Sequence, residues 1–172
     1  MERPSEQLLS VFREFGGEAL RDVWVFDERT FEKVFVRSDV EEAIEEGGLD
    51  VERFVDNERY GFITQQTYES LYYADYSYTV RGFSTFEQFR TFFGEGPIGV
   101  FASFDLDDGD CYDYQTLNES VQSFGGELGS EAFGLGENTE KTLADAESDT
   151  GESETETDAE EDAEEMDSVK NP

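Results

Sequence analysis

The sequence predicts an α+β domain, a five-stranded antiparallel sheet flanked by helices, followed by a disordered acidic tail. Three observations carry that expectation. Apolar residues recur at helical spacing near the start of the chain and again around residue 120, while two blocks, 23–37 and 76–104, alternate as strands do. Of the 25 aromatic side chains in 172 residues, all but Phe133 lie in residues 1–126, so the core belongs there and residues 127–172 form the tail. Each predicted element is amphipathic, and a layered sheet with helices on it lets every one bury its apolar side.

Taken in order, Ser5 is the expected N-cap of a first helix, in which Leu8, Leu9, Val11, Phe12 and Phe15 recur until Gly16-Gly17 stops the run. Val23–Phe26 and the alternating run Phe31–Arg37, joined through Asp27, Glu28 and Arg29, form a hairpin. Asp39 then heads a helical segment carrying Val40, Ala43 and Ile44. Gly47-Gly48 interrupts it, and Leu49, Val51, Phe54 and Val55 resume the spacing. After a mixed stretch, Tyr76–Phe83, Gln88–Phe93 and Ile98–Phe104 read as a three-stranded meander. Leu117, Val121 and Phe124 mark a closing helix from Tyr114 to Phe124.

Past Leu143 the only aliphatic or sulfur-containing side chains larger than alanine are Met166 and Val169. Such composition cannot offset an ordering entropy of roughly 1–2 kcal/mol per residue. A chain ending at Gly126 is therefore expected to keep the stability of the whole.

Charge narrows the function. The net charge is −32, from 44 acidic and 12 basic residues, and it is shared between body and tail. Binding nucleic acid through its phosphates needs clustered Lys and Arg, which are missing, so no nucleic-acid partner is expected. A polybasic membrane anchor is missing too, and no apolar run approaches the roughly 20 residues of a bilayer span. The N-terminus lacks a secretory pattern, which places the protein in the cytoplasm. An acidic body in addition to an acidic tail is the pattern of a protein adapted to concentrated salt, where screening relieves self-repulsion.

With no His and a single Cys, the common zinc sets and the Ser-His and Cys-His nucleophile pairs are excluded. Neither a catalytic residue, a cofactor site nor a metal site is expected. Asp105, Asp107, Asp108, Asp110 and Asp113 resemble a calcium loop, but Gly109 stands at position 5 where an oxygen ligand is needed, and position 12 has no Glu. Gly136–Thr142 ends like a phosphate loop, yet Glu140 replaces the required Gly. Cys111 is flanked by Asp110 and Asp113, which favour an inert thiol.

The tyrosines are the most unusual feature. Tyr68, Tyr72, Tyr73, Tyr76 and Tyr78 crowd one short stretch. On a strand from Tyr76, that residue shares a face with Tyr78 and Val80, which suits core-edge packing. Tyr72 and Tyr73 sit at a turn before it, are least required by the core, and are the candidate interaction residues. A non-catalytic interaction or scaffold module, self-associating or docking a protein partner, is the expected function. A ligand-sensing domain or a carboxylate-based enzyme with a small pocket is the alternative.

The element order is similar to that of roadblock/longin/profilin-like folds. The segment 23–44, with Arg37-Ser38-Asp39 after the second strand, the stretches Tyr68–Tyr72 and Tyr76–Phe83, and Ile98–Asp105 resemble a family of small uncharacterised haloarchaeal proteins, over residues 8–124. That resemblance implies the fold and no activity. The tyrosine-rich stretch 68–78 and the aromatic-rich fourth strand depart from the family pattern.

Overall fold

The computed structural model describes residues 3–106 and 111–135. Helix α1 (Pro4–Gly16) leads into strands β1 (Leu20–Phe26) and β2 (Phe31–Val36). Helices α2 (Ser38–Gly47) and α3 (Val51–Glu69) follow, then β3 (Tyr78–Gly82), β4 (Phe86–Phe93), β5 (Ile98–Asp105) and α4 (Tyr114–Gly125). A 3-10 turn, Ser130–Phe133, is the last regular element among the described residues. The five strands form one antiparallel sheet in the order β2-β1-β5-β4-β3, so the chain's last strand pairs with its first.

Local chemistry sets the boundaries. Pro4 occupies the first helical position, where its fixed φ and missing N–H cost nothing, so Arg3 and not Ser5 is the N-cap of α1. Ser5 is buried in the first turn, and Glu6 reaches back to accept from the Arg3 amide at 3.1 Å. The β1–β2 turn is held by Asp27, whose Oδ1 accepts from the amides of Arg29 and Thr30 at 2.8 and 2.6 Å. Gly48, at φ +60°, ends α2 in a left-handed turn. Asp50 then caps α3 by accepting from the Arg53 amide.

Helix α3 runs well beyond the apolar spacing at 49–55, over 19 residues to Glu69. Its second half presents Tyr60, Ile63 and Tyr68 to solvent and so lacks a clean amphipathic stripe.

The sheet buries both faces. Its first face carries Val23, Val25, Phe89, Phe93, Val100, Ala102 and Phe104. It packs under α1 (Leu8, Phe12) and α4 (Tyr114, Leu117, Val121). Its second face carries Trp24, Phe26, Phe92 and Phe101 beneath Val55 and Phe62 of α3. Phe62 and Phe92 meet at 4.6 Å between ring centroids and Phe26 lies 5.5 Å from Phe62.

The expected tail boundary moves. Phe133 and Leu135 are buried in the first-face core, the Thr30 hydroxyl donates to the Leu135 carbonyl, and the Glu95 amide donates to the Leu128 carbonyl at 2.9 Å. The packed body thus continues to Leu135, because two apolar side chains in an otherwise polar stretch suffice to tie it down. The rest of the expected tail lies outside the described residues. Among the described residues no helix is long and apolar enough to cross a membrane.

Candidate interaction surface

The second half of α3 and the turn after it gather most of the large apolar side chains that are exposed among the described residues. Spacing of four residues puts Tyr60, Thr64 and Tyr68 on one helix face. With Leu71 they line one wall of an open cleft of about 580 Å³, whose other wall includes Tyr76, Thr79, Arg81 and Arg90. Tyr68 stacks on Tyr76 at 5.7 Å with the rings 7° apart. Beside the cleft, Tyr72 and Tyr73 are 97% and 71% exposed and touch each other edge to face at 5.3 Å. Both lie on the turn between α3 and β3, where the sequence reading put them.

Tyr76 departs from expectation. It precedes β3 and packs on the second face, while Tyr78 and Val80 pack on the first. Its hydroxyl meets the Thr79 hydroxyl and accepts from Arg90 Nη2 at 3.1 Å, which holds it off the strand.

Beneath the cleft is a buried ionic network. Glu58, fully buried on the inner side of α3, accepts from Arg81 through Oε1 and from Arg90 Nη1 through Oε2 at 3.4 Å. Arg90 is 4% exposed, donates also to Thr79 Oγ1 at 3.1 Å, and lies 5.1 Å over the Phe92 ring. Gly61 makes room for it, since a Cβ there would stand 2.4 Å from Arg90 Nη1. Neither Glu58 nor Arg90 was singled out from the sequence. The available signal was Arg90 standing in phase with Phe86 and Phe92 on β4.

A second ionic cluster sits at the far end of the sheet. Arg37 binds Asp39 at 2.6 Å and Asp105 at 2.8 Å, and Arg21 also reaches Asp105 at 2.7 Å. Hydrogen bonding to Arg37 lowers the Asp39 carboxyl to about 2. Burial opposes ionisation of Asp105, yet the two guanidiniums hold it below the usual carboxylate range. The Arg37-Ser38-Asp39 pattern is therefore a structural clasp between the hairpin and α2.

Asp105, the first residue of the calcium-like run, is committed to arginines, and Asp113 caps α4 by accepting from the Thr116 amide and hydroxyl. Residues 107–110 of that run lie outside the described residues, as do Gly136–Thr142. Among the described residues no group of three or more acidic, Cys or His side chains is placed to hold a metal ion. Cys111 is exposed and forms no disulfide.

Among solved structures, a chain described as "MglB with tetrameric arrangement" superposes with a TM-score of 0.42 at 13% identity, over 77% of this chain and 94% of that one. At that distance it says nothing about function. No curated protein matches the chain. Residues 6–124, most of the chain and nearly the whole sheet-and-helix body, match the Domain of unknown function (DUF7522), and the protein belongs to that family.

Proposed function

We propose that this protein is a non-catalytic interaction module of a salt-rich cytoplasm, and that it docks another polypeptide, first of all a second copy of itself, through the tyrosine surface of α3 and the following turn. The observation that supports this reading is the exposure of Tyr60, Ile63, Tyr68, Tyr72 and Tyr73 within one helix and its turn. Tyrosine supplies rigid amphipathic area at low entropic cost, and such side chains anchor interfaces. With 44 acidic residues on the chain, rim charges steer association weakly in concentrated salt, which leaves apolar anchors as the main source of affinity.

Sedimentation at molar salt tests it. Tyr72→Ser with Tyr73→Ser should leave the melting temperature within a few degrees, the effect of about 1 kcal/mol or less on a domain of this size, and should weaken self-association or partner capture. If the variant unfolds, the two tyrosines serve the core and the reading fails. If it folds and associates like the parent, the surface lies elsewhere.

A further inference from the structure

Two cavities open between the second face of the sheet and its helices, and they differ in what they offer an occupant. The smaller, of about 150 Å³, has as its floor Asp22 of β1, Ser103 of β5 and Gln88 of β4, which strand register places in one cross-strand row. Asp22 Oδ2 accepts from Ser103 Oγ at 2.9 Å, while Asp22 Oδ1, both polar atoms of the Gln88 side chain and Arg21 Nε have no partner among the described residues. Each of those four atoms is closed to solvent, so what this cavity exposes is apolar. The larger is the tyrosine cleft, where charge is accessible.

Three charged side chains, Asp75, Arg81 and Arg90, line the cleft. Arg90 is committed: Nη1 and Nη2 donate to Glu58, Tyr76 and Thr79, and Nε is shut off. Arg81 donates to Glu58 through Nη1 alone, and its side chain is 34% exposed. That leaves Nε and Nη2, the edge of a guanidinium that meets both oxygens of a carboxylate at once. The same edge of Arg37 holds Asp39, at 2.6 and 2.9 Å. Asp75 is exposed and unpaired among the described residues.

Arg81 and Asp75 belong to opposite ends of the cleft. Arg81 meets α3 at Glu58, whereas Asp75 adjoins Tyr76, whose ring stacks on Tyr68. From Glu58 to Tyr68 the helix rises about 15 Å. Asp75 also closes the stretch Tyr72–Asp75, whose two tyrosines stand out into solvent. The molecule thus carries a cleft with aromatic walls and a free guanidinium edge, and beside it a knob of two rings with a free carboxylate.

A knob and a cleft on one surface fit each other across a two-fold axis, since an isologous contact uses the same patch twice. Building on the self-association proposed above, we infer that each copy inserts Tyr72–Asp75 into the cleft of the other, where Asp75 is bound by Arg81. The cleft volume of about 580 Å³ lies within the range of about 300–1,000 Å³ typical of pockets that enclose a compact ligand. An axis between its ends sets the Arg81 end of one copy over the Asp75 end of the other, so both charge pairs form together. The tyrosines supply the affinity and the reciprocal pair fixes the register. Once enclosed, that pair is screened by salt far less than a rim charge.

Sedimentation equilibrium of the full chain at molar salt tests this, with melting curves to confirm that each variant is folded. Asp75→Arg should weaken self-association by about tenfold or more, and Glu46→Arg, the same charge change on an exposed residue of α2 outside the cleft, should not. Arg81→Glu should weaken it as much as Asp75→Arg. Mixed in equal amounts, the two reversed variants should associate with each other as tightly as the parent does, because both pairs are then complementary. Arg81→Glu sets a second carboxylate beside buried Glu58, so Arg81→Met and Asp75→Asn make the comparison without reversal: each weakens association, and the double variant is no weaker than either alone. The inference is overturned if Asp75→Arg associates like the parent or like Glu46→Arg, if a mixture of the folded reversed variants does no better than its components, or if the two neutral changes add. A parent that stays monomeric leaves the cleft to another occupant and overturns the self-association as well. A parent whose association is lost with Tyr72→Ser and Tyr73→Ser but ignores the charge variants keeps the tyrosine surface and loses only this inference.

Discussion

The two faces of the sheet are built from the same strands and differ in how they treat polar groups. On the first face, most polar side chains that enter the core are satisfied, Glu32 Oε2 on the edge strand β2 being the exception. Thr91 donates to Asn118 Oδ1 at 2.7 Å, Gln122 donates to the Phe92 carbonyl at 2.7 Å, and the Tyr114 hydroxyl donates to Glu87 at 2.9 Å. The rest is apolar packing between α1, α4 and the sheet. On the second face a fully buried carboxylate holds two arginines, an amide and a carboxylate oxygen have no partners, and two cavities remain between sheet and helices. The first face accounts for the stability of the fold. The second carries polar groups that cost stability, and it is there that function is to be sought.

The largest effect expected from breaking this contrast comes from the first face. A chain ending at Gly126 loses Phe133 and Leu135, whose burial contributes about 3–6 kcal/mol as an upper estimate. A chain ending at Lys141 retains both and should melt like the full protein. Thermal unfolding of the three chains at molar salt decides; equal melting temperatures for the Gly126 and Lys141 chains would show that the 3-10 turn adds nothing to the core.

On the second face, Glu58→Leu leaves Arg90 buried without its carboxylate and should cost about 3–5 kcal/mol. Adding Arg90→Met should recover most of that, because an apolar pair of similar volume needs no desolvated charge. If the double variant stays as unstable as Glu58→Leu alone, the network itself holds α3 to the sheet, and the contrast between the faces weakens.

The sequence made the first face legible and hid the second. Leu8 and Phe12, Leu117 and Val121, and the alternation of Val100, Ala102 and Phe104 all follow the periods of regular elements, so the sheet and its outer helices could be read directly. Glu58, Gln88 and Arg90 are residue types that mostly face water, and nothing local distinguishes them from the many charges around them. Only strand register, which places Gln88 beside Ser103 and Arg90 beside Phe101, shows that they point inward. Tyr72 and Tyr73 were legible for the opposite reason: they lie on a turn, where a large aromatic has no regular core to enter. Phe133 was missed as a core residue because a single aromatic in a glycine-punctuated acidic stretch has no period to reveal it.

The smallest effect tests whether the floor of the second face carries a stability cost at all. Burial raises the Asp22 carboxyl above its ordinary value, a shift that the hydrogen bond from Ser103 only partly offsets. The folded state therefore holds this proton more tightly than the unfolded state, so stability falls as pH rises from the ordinary carboxylate range through the folded value and stays reduced above it. Asp22→Asn keeps an oxygen for Ser103 Oγ and removes the charge, so it should melt higher than the parent near neutral pH, with the gap closing as pH falls into the ordinary carboxylate range. Asp113, at the N-cap of α4 under the first face, has the opposite sign. Bonds from Thr116 lower its carboxyl, and its contribution is present above the ordinary carboxylate value and lost as pH falls through the folded one. Asp113→Ala should accordingly melt lower than the parent near neutral pH, and this gap too should close in acid. Melting curves of the two variants across that range give the answer: a pH-independent gap for Asp22→Asn, or a loss of stability near neutral pH, would place the Asp22 charge among the groups that hold the fold together.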